Sequence, residues 1–448
     1  MSTSTKTVAV RAAALLFAVA VFEGCVSTDT ETGNAINDLR YGDGTVAVKW
    51  SGDLATNSTY STALGEVEAG RVDMLLGKHQ SSQQWFRTAV ERTMDRNEAQ
   101  PQIKLGDVGN TVLASTITDD RTREYAISPY ELNMALEYAI LTEEFCGMRE
   151  DALVDCRLAA YVMDNLAETY GADVAKEAEN TSTNAAVSSV YQEQAAALDE
   201  VIAKTRNSWE NPLLWWLTGV LFEASGDKEA ASQSYMRAKA LKPENTIFAE
   251  DALKVRTRKS PASGLAKLVV VCGEDFISER KSLKIPVPVY TAMSIDIPMY
   301  EDKAYTPKTI MISVDGAAPT QAELALNVQS LAYRDLREHL PGIITRNITR
   351  ALVQAGAQAA VNITGNRYAK LAVLAMNAVA SAVRSSDIRC WRTLPMSEQV
   401  WRNDSLKPGK HRLDINFGYG YGSVSTEVTL KAGQTAIIYV NSKEPKKQ

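Results

Sequence analysis

Apolar and polar positions alternate along this chain in blocks of different period. A polar stretch carrying Lys6 and Arg11 leads into an apolar run from Ala12 to Phe22 and then Glu23-Gly24-Cys25. From Val26 to about Leu54, Ser, Thr, Asp, Asn and Gly dominate and helical periodicity is weak, the pattern of a tether. Helical spacing governs 55–255. From about Ser260 short extended pieces take over: Leu265 to Cys272, Ile285 to Tyr290 and Ile310 to Val314, punctuated by Pro or Gly. Gln321 to Leu340 and Ile343 to Ser385 predict two or three inserted helices, with Pro341-Gly342 and Thr364-Gly365 as breaks. Strands return over Lys410 to Phe417, Val424 to Leu430 and Thr435 to Val440, and alternation places Leu413, Ile415 and Phe417 on one face. The expectation is an α+β chain: signal over 1–24, tether over 25–54, helical domain over 55–255, and over 260–448 a small antiparallel β domain, sheet or sandwich, with inserted helices.

The most specific pattern lies over 211–245. Trp215, Gly219, Phe222, Ala231, Tyr235, Ala238 and Pro243 sit at the offsets of the tetratricopeptide repeat, a unit of about 34 residues in two antiparallel helices, with Thr218 in place of the usual Leu. The spacing has a mechanical cause. Gly219 and Ala231 let the two helices approach, the aromatic side chains fill the space between them, and Gly226-Asp227 makes the turn. Asn211-Pro212 supplies a cap followed by proline at the first helical position. Two weaker copies align upstream on their turn glycines: Gly70, Gly77, Phe86 and Ala89 in one, Gly147, Ala152, Cys156 and Ala159 in the other. The helical domain is therefore predicted to be tetratricopeptide-like. Stacked helix pairs enclose a concave groove, expected here to hold a segment of a protein partner. Trp85-Phe86 and Trp215-Trp216 are expected in the repeat core.

The N-terminal layout is that of a secretory signal. Its apolar run of about 11 residues falls short of the ~20 that a spanning helix needs. Gly24-Cys25 resembles the bacterial lipobox, in which a small residue precedes a cysteine that is acylated and becomes the new N-terminus; Phe22 and Glu23 depart from its usual residues. The alternative is a secreted protein with Cys25 unmodified. Each buried CH₂ of an acyl chain contributes about 0.8 kcal/mol, so lipidation at Cys25 would hold the protein on a membrane without a span. Val26 after the cysteine, where Asp is absent, resembles lipoproteins sorted to the outer membrane and facing the periplasm.

Composition narrows the partners. At 448 residues the chain exceeds a usual domain of roughly 150, so two or three domains are expected. Its 48 basic and 54 acidic residues give a net charge of −6 with no basic concentration, which argues against nucleic acid. His79, His339 and His411 are dispersed and expected as surface or capping residues, and no HExxH or CxxC spacing occurs, so no metal or cofactor is expected. Cys146, Cys156, Cys272 and Cys390 allow two disulfides by one of three connectivities, or buried thiols. Gly418-Tyr-Gly-Tyr-Gly422 reads as a hairpin connection with Tyr419 and Tyr421 exposed, because no helix follows to aim at a phosphate. No P-loop or GxSxG elbow is present. Glu143-Glu144 and Asp119-Asp120 are expected on solvated faces. The small-residue stretches Ala351 to Gly365 and Leu371 to Val383 predict buried or self-associating helices.

The order of lipobox, helical repeats, Leu265-Ala-Lys-Leu-Val-Val-Val271, Ile285-Pro-Val-Pro288, Leu340-Pro-Gly-Ile-Ile-Thr-Arg346 and Trp391-Arg-Thr-Leu-Pro395 resembles a chiefly uncharacterised family of bacterial lipoproteins. The resemblance implies no enzyme activity and no cofactor; some members are encoded near lipoproteins that activate peptidoglycan-synthesising penicillin-binding proteins. The leading expectation is a non-enzymatic, membrane-anchored envelope adaptor or scaffold that grips a protein partner in its groove. The rivals are a structural homo-oligomer, and an envelope enzyme or polysaccharide-binding factor with its site in the C-terminal domain.

Overall fold

The computed structural model describes residues 30–99, 123–183, 185–203, 205–287, 294–300, 305–364, 386–418 and 420–443, and the first of them are helical. Helix α1 covers 30–41 and α2 covers Thr45–Asn57. The tether expected over 25–54 is thus helical from Thr30 onward. Ala35, Ile36 and Leu39 on one face of α1, concealed by a polar composition, and Ala47 on α2 bury against Val72, Leu75 and Phe276. Arg40 adds an ion pair to Asp275 at 2.8 Å.

Three helix pairs follow: α3 (Thr62–Leu75) with α4 (His79–Ala99), α5 (Pro129–Phe145) with α6 (Arg149–Thr183), and α8 (Pro212–Ser225) with α9 (Lys228–Leu241). Helix α7 (Ala185–Ile202) lies between the second and third pairs, and α10 (Thr246–Lys254) closes the array. The three turns share one construction. Gly77, Gly147 and Gly226 hold φ of 73°, 77° and 89°, a left-handed backbone that disfavours a side chain. Around the first and third, the N–H groups of Gly77, Lys78, Gly226 and Asp227 fold back onto the carbonyls of Met74, Asp73, Glu223 and Phe222 at 2.8–3.1 Å, satisfying helix-end acceptors.

Inside the pairs, Gly219 lies so close to Tyr235 that a Cβ would stand 2.6 Å from its ring, and Gly70 meets Phe86 in the same way at 2.8 Å. The Asn211 side chain accepts from the Leu214 N–H at 3.0 Å, and Pro212 is the first helical residue, as their order predicts. Trp215, Trp216, Phe222, Ala231 and Ala238 are buried, and Pro243 stands in the turn before α10.

The C-terminal part is built on ten strands among the described residues: β1 (Ala266–Glu274), β2 (Arg280–Pro286), β3 (Ser294–Tyr300), β4 (Met311–Val314), β5 (Thr320–Gln321), β6 (Glu323–Leu326), β7 (Ser397–Leu406), β8 (Gly409–Asn416), β9 (Ser423–Leu430) and β10 (Thr435–Asn441). They form one sheet of order β10-β1-β7-β6, a second of order β5-β4-β8-β9, and a β2-β3 hairpin. All pairings are antiparallel except β1 with β10, which run parallel. Strand β1 is buried on both faces. Leu268, Val270 and Cys272 meet Leu413, Ile415 and Phe417 of the second sheet, while Val269 and Val271 face the helices.

Two sequence expectations need correction. Gln321 to Leu326 is extended, because β6 completes the sheet edge beside β7. Helix α11 (Val328–Thr364) runs through Pro341 without a break. An interior proline costs about 3 kcal/mol in a helix, and the burial of Leu340, Ile344 and Ile348 on either side offsets it. The predicted helix over Leu371 to Val383 lies outside the described residues. The 418–422 run connects β8 and β9 as a hairpin loop, with the Phe417 N–H on the Gly422 carbonyl at 3.0 Å; Tyr421 is half-buried and Tyr419 lies outside the described residues.

One apolar cluster runs without interruption from Leu64 and Phe86 through Trp216 and Tyr235 to Val269, Val400, Leu331 and Ile344. The helical array and the first sheet therefore share a core.

Candidate functional site

The inner helices of the three pairs, α3, α5 and α8, are buried over nearly their whole lengths: Ala63 to Leu75, Pro129 to Glu143 and Pro212 to Glu223. Each has its own second helix on one side and the C-terminal part on the other. The groove is filled by the chain itself. The segment running from Cys390 into β7 lies against α3 and α5, with the Trp391 ring 6.0 Å from both Phe86 and Tyr138.

Carboxylates of the inner helices hold this segment by its backbone. Glu68 accepts from the Arg392 N–H at 2.5 Å, the Thr393 N–H at 3.2 Å and the Thr393 hydroxyl at 2.6 Å. Glu131 accepts from the Ser128 N–H at 3.0 Å, closing the capping box of α5, and also from the Tyr125 hydroxyl at 2.6 Å and the Trp391 N–H at 3.1 Å. Burial pushes the Glu68 carboxyl up to about 7, against the opposing pull of the Thr393 and Arg392 donors.

Arg71, fully buried, stands at the centre. It donates to the Tyr439 hydroxyl at 2.5 Å and the Thr393 carbonyl at 3.3 Å, and its guanidinium lies 4.3 Å and 4.5 Å from the Tyr138 and Tyr439 ring centres. Tyr138 donates to Glu398 at 3.0 Å, and Asn211 to Glu137 at 2.7 Å. Burial, with mutual repulsion added at Glu137, raises both Glu137 and Glu398 above the usual carboxylate range. The two neighbouring carboxyls share one cation, Arg71, whose charge pulls both downward against their burial.

A second buried cluster ties α8 and α10 to the same sheet. Arg258 pairs with Glu223 at 2.6 Å and Asp251 at 2.5 Å, Lys267 with Glu223 at 3.1 Å, and Arg402 with Asp251 at 3.1 Å and with Asp404. Trp216 Nε1 donates to Asp251 at 2.7 Å, and the Tyr235 hydroxyl to Glu223 at 2.9 Å. Burial alone would raise Glu223, but its bonds to Arg258 and the charge of Lys267 together hold it down at about 2.

No family model, curated protein or solved structure matches the chain. Its chemistry is accordingly read from its own residues. Cys25 lies outside the described residues. Trp215, Gly219, Phe222, Ala231, Tyr235 and Ala238 come together as the packing of one helix pair, with the Arg157 guanidinium 5.6 Å over the Phe222 ring and Arg237 5.2 Å over Trp215. None of Cys146, Cys156, Cys272 and Cys390 is joined in a disulfide among the described residues. His411 is buried between Asp315 and the Lys407 carbonyl, each at 2.7 Å, His339 touches Tyr170 and Asp335, and His79 packs on Phe145.

Glu143 is buried, contrary to the solvated face expected for it; burial and the neighbouring Asp155 push it up to about 7. Glu144 pairs with Arg149 at 2.5 Å, and Asp119-Asp120 lies outside the described residues. Among the described residues no cluster of side chains is arranged to hold a metal ion, and no helix is long and apolar enough to cross a membrane.

A charged cavity of 280 Å³ opens beside the segment that enters the groove. It is lined by Arg280, Arg346, Arg389, Glu131, Asp335 and His339 among others. Most of these groups are engaged within the protein. Arg389 bonds Asp387 and the Tyr60 carbonyl, each at 2.7 Å, and Arg280 bonds the Tyr300 hydroxyl at 2.9 Å. Asp335 is raised by its burial. Sequence reasoning missed the groove filling because its two sides lie 260 or more residues apart. The available signal was charge at apolar helix positions, Glu66, Glu68, Arg71 and Asp73 on α3.

Proposed function

We propose that the protein is a non-enzymatic envelope scaffold or adaptor, acylated at Cys25 and anchored to a membrane, the outer one facing the periplasm where the host has two. The observation that carries this reading is the single core joining the helical array to the sheet, with its two buried polar clusters: it makes a rigid body whose binding faces lie outside the groove. Thr30, the first described residue, lies five residues beyond Cys25, a reach of at most about 18 Å, so acylation would hold this body close to the bilayer. Tethering then raises the effective concentration of whatever the body carries. The resemblance to bacterial lipoproteins points to cell-wall or envelope assembly as the process.

Crosslinking in intact cells, comparing the wild type with Cys25→Ser, tests the reading. One envelope protein recovered with the wild type and depleted with the variant is expected. Recovery of the protein alone in higher-order species would replace the adaptor with a homo-oligomer. The charged cavity beside Asp335 favours a second reading, a polysaccharide-binding factor, which predicts retention on glycan strands that Asp335→Asn abolishes.

A further inference from the structure

An open strand edge is a template for pairing with another chain unless it is short, covered, or interrupted by Lys or Pro. The three sheets have six edge strands, and among the described residues five of them are blunted in one of these ways. β5 has two residues, and the start of α10 covers β6, where Asn245 Nδ2 donates to the Leu324 carbonyl at 3.1 Å. Arg149 donates to the Thr435 carbonyl of β10 at 3.0 Å. β2 carries Lys281, Lys284 and Pro286; β3 carries Pro298, and Asn347 donates to its Asp296 carbonyl at 2.6 Å.

β9 is the exception. It is eight residues long, contains neither Lys nor Pro, and pairs with β8 in unbroken register from Ser423 to Leu430. Nothing else among the described residues bonds its backbone. Ser423, Ser425, Glu427 and Thr429 are exposed on its outer face, whereas Val424 and Val428 lie half-buried at the rim of the core between the two sheets. Its single charge, Glu427, is matched by Lys410 of β8 at 2.7 Å.

The side chains of β9 are also ordered about Thr426. Opposed residues of an antiparallel pair point to the same face, so a two-fold axis relating two copies of β9 must pass a residue. An axis at Glu427 would set its carboxylate against its own copy, and one at Ser425 would confine the overlap to Ser423 through Glu427. At Thr426 the overlap runs from Ser423 to Thr429: Val424 meets Val428 of the other copy, Ser425 meets Glu427 and Ser423 meets Thr429. No like charges are opposed.

We propose that the protein dimerises through β9, two copies pairing antiparallel about Thr426 and joining their four-stranded sheets into one of eight. The contact is isologous, as closure into a dimer requires. It satisfies the open backbone groups of the edge and covers Val424 and Val428. The dimer goes beyond the adaptor reading and does not rest on it, since it doubles whatever face the body presents, anchored or not.

The test uses the full chain in detergent, with mass read by sedimentation velocity, and the wild type should sediment as two chains. Ser423→Glu/Thr429→Glu sets Glu against Glu twice across the axis and should weaken the dimer about tenfold or more, whereas Ser423→Lys/Thr429→Glu sets Lys against Glu and should restore it. Both positions are exposed, and unchanged thermal unfolding of the variants confines the effect to pairing. A wild type of one chain at about 0.1 mM, or a dimer indifferent to both charge patterns, overturns the proposal.

Thr426→Cys checks the register. Opposed Cβ atoms stand about 4.5–5.5 Å apart, within reach of a disulfide on oxidation, whereas Ser423→Cys would lie about 20 Å from its own copy. A linked dimer from Thr426→Cys, and from neither Ser423→Cys nor the wild type, is expected; any other pattern overturns the proposal. These measurements use purified chain, so a monomer leaves the adaptor standing, and failure of the Cys25→Ser comparison in cells leaves the dimer standing.

Discussion

The two polar clusters that join the helical array to the sheet perform one task with opposite chemistry. Around Arg71 the neighbours are tyrosines and two carboxyls, Glu137 and Glu398, that burial raises above the usual carboxylate range. Around Lys267 three cations, Lys267, Arg258 and Arg402, meet the carboxylates of Glu223, Asp251 and Asp404, and Glu223 stays ionised down to about pH 2. The difference follows from the number of cations within reach. A lone guanidinium cannot offset the desolvation of two carboxylates, whereas an interleaved network can. At Glu223 the bonds to Arg258 and the charge of Lys267 outweigh burial, whereas beside Arg71 burial prevails at Glu137 and Glu398.

Removing the central charge of each cluster should have the largest effect on stability. Arg71→Ala strands Glu137 and Glu398 without their cation and opens a void among Tyr138, Tyr439 and Met74, with an expected loss of about 3–5 kcal/mol in urea unfolding. Glu223→Gln should cost about 3 kcal/mol at pH 7, the equivalent of holding the carboxyl at about 2 against its ordinary 4.5. Its sign with pH is distinctive. A depressed carboxyl contributes fully above pH 4.5 and loses its contribution as pH falls through about 2, so wild type and Glu223→Gln should converge in acid.

Glu68 runs the other way. Its carboxyl is held at about 7, so the folded protein keeps a proton that the unfolded chain has released between pH 4.5 and 7, and stability falls as pH rises through that window. Glu68→Gln should flatten this slope by up to about 1.4 kcal/mol per pH unit. An unchanged slope in Glu68→Gln would place the proton elsewhere.

The helix pairs were legible in the sequence because their packing is local: the glycine that clears Tyr235 and the glycine that turns left-handed sit at fixed offsets on one short segment. The sandwich face of Leu413, Ile415 and Phe417 was legible for the same reason. The filled groove was not. Trp391-Arg-Thr-Leu-Pro395 stood out as a motif, yet its partners Glu68, Arg71 and Glu131 lie some hundreds of residues away and leave no periodic trace. Helices α1 and α2 were concealed by their polar composition, in which few apolar positions suffice because Phe276 and Val72 cover them. Pro341 misled by a rule that holds for a helix in isolation and yields to burial here.

Closure of the groove by the chain's own segment is open to hydrogen exchange of the folded protein at the amides of Trp391, Arg392 and Thr393. These N–H groups donate to Glu131 and Glu68 in the interior. Their exchange should match that of the most protected amides of β1 and occur only through global unfolding. Exchange at the rate of an open loop, with β1 still protected, would mean that the segment leaves the groove and that the groove is free to hold another protein.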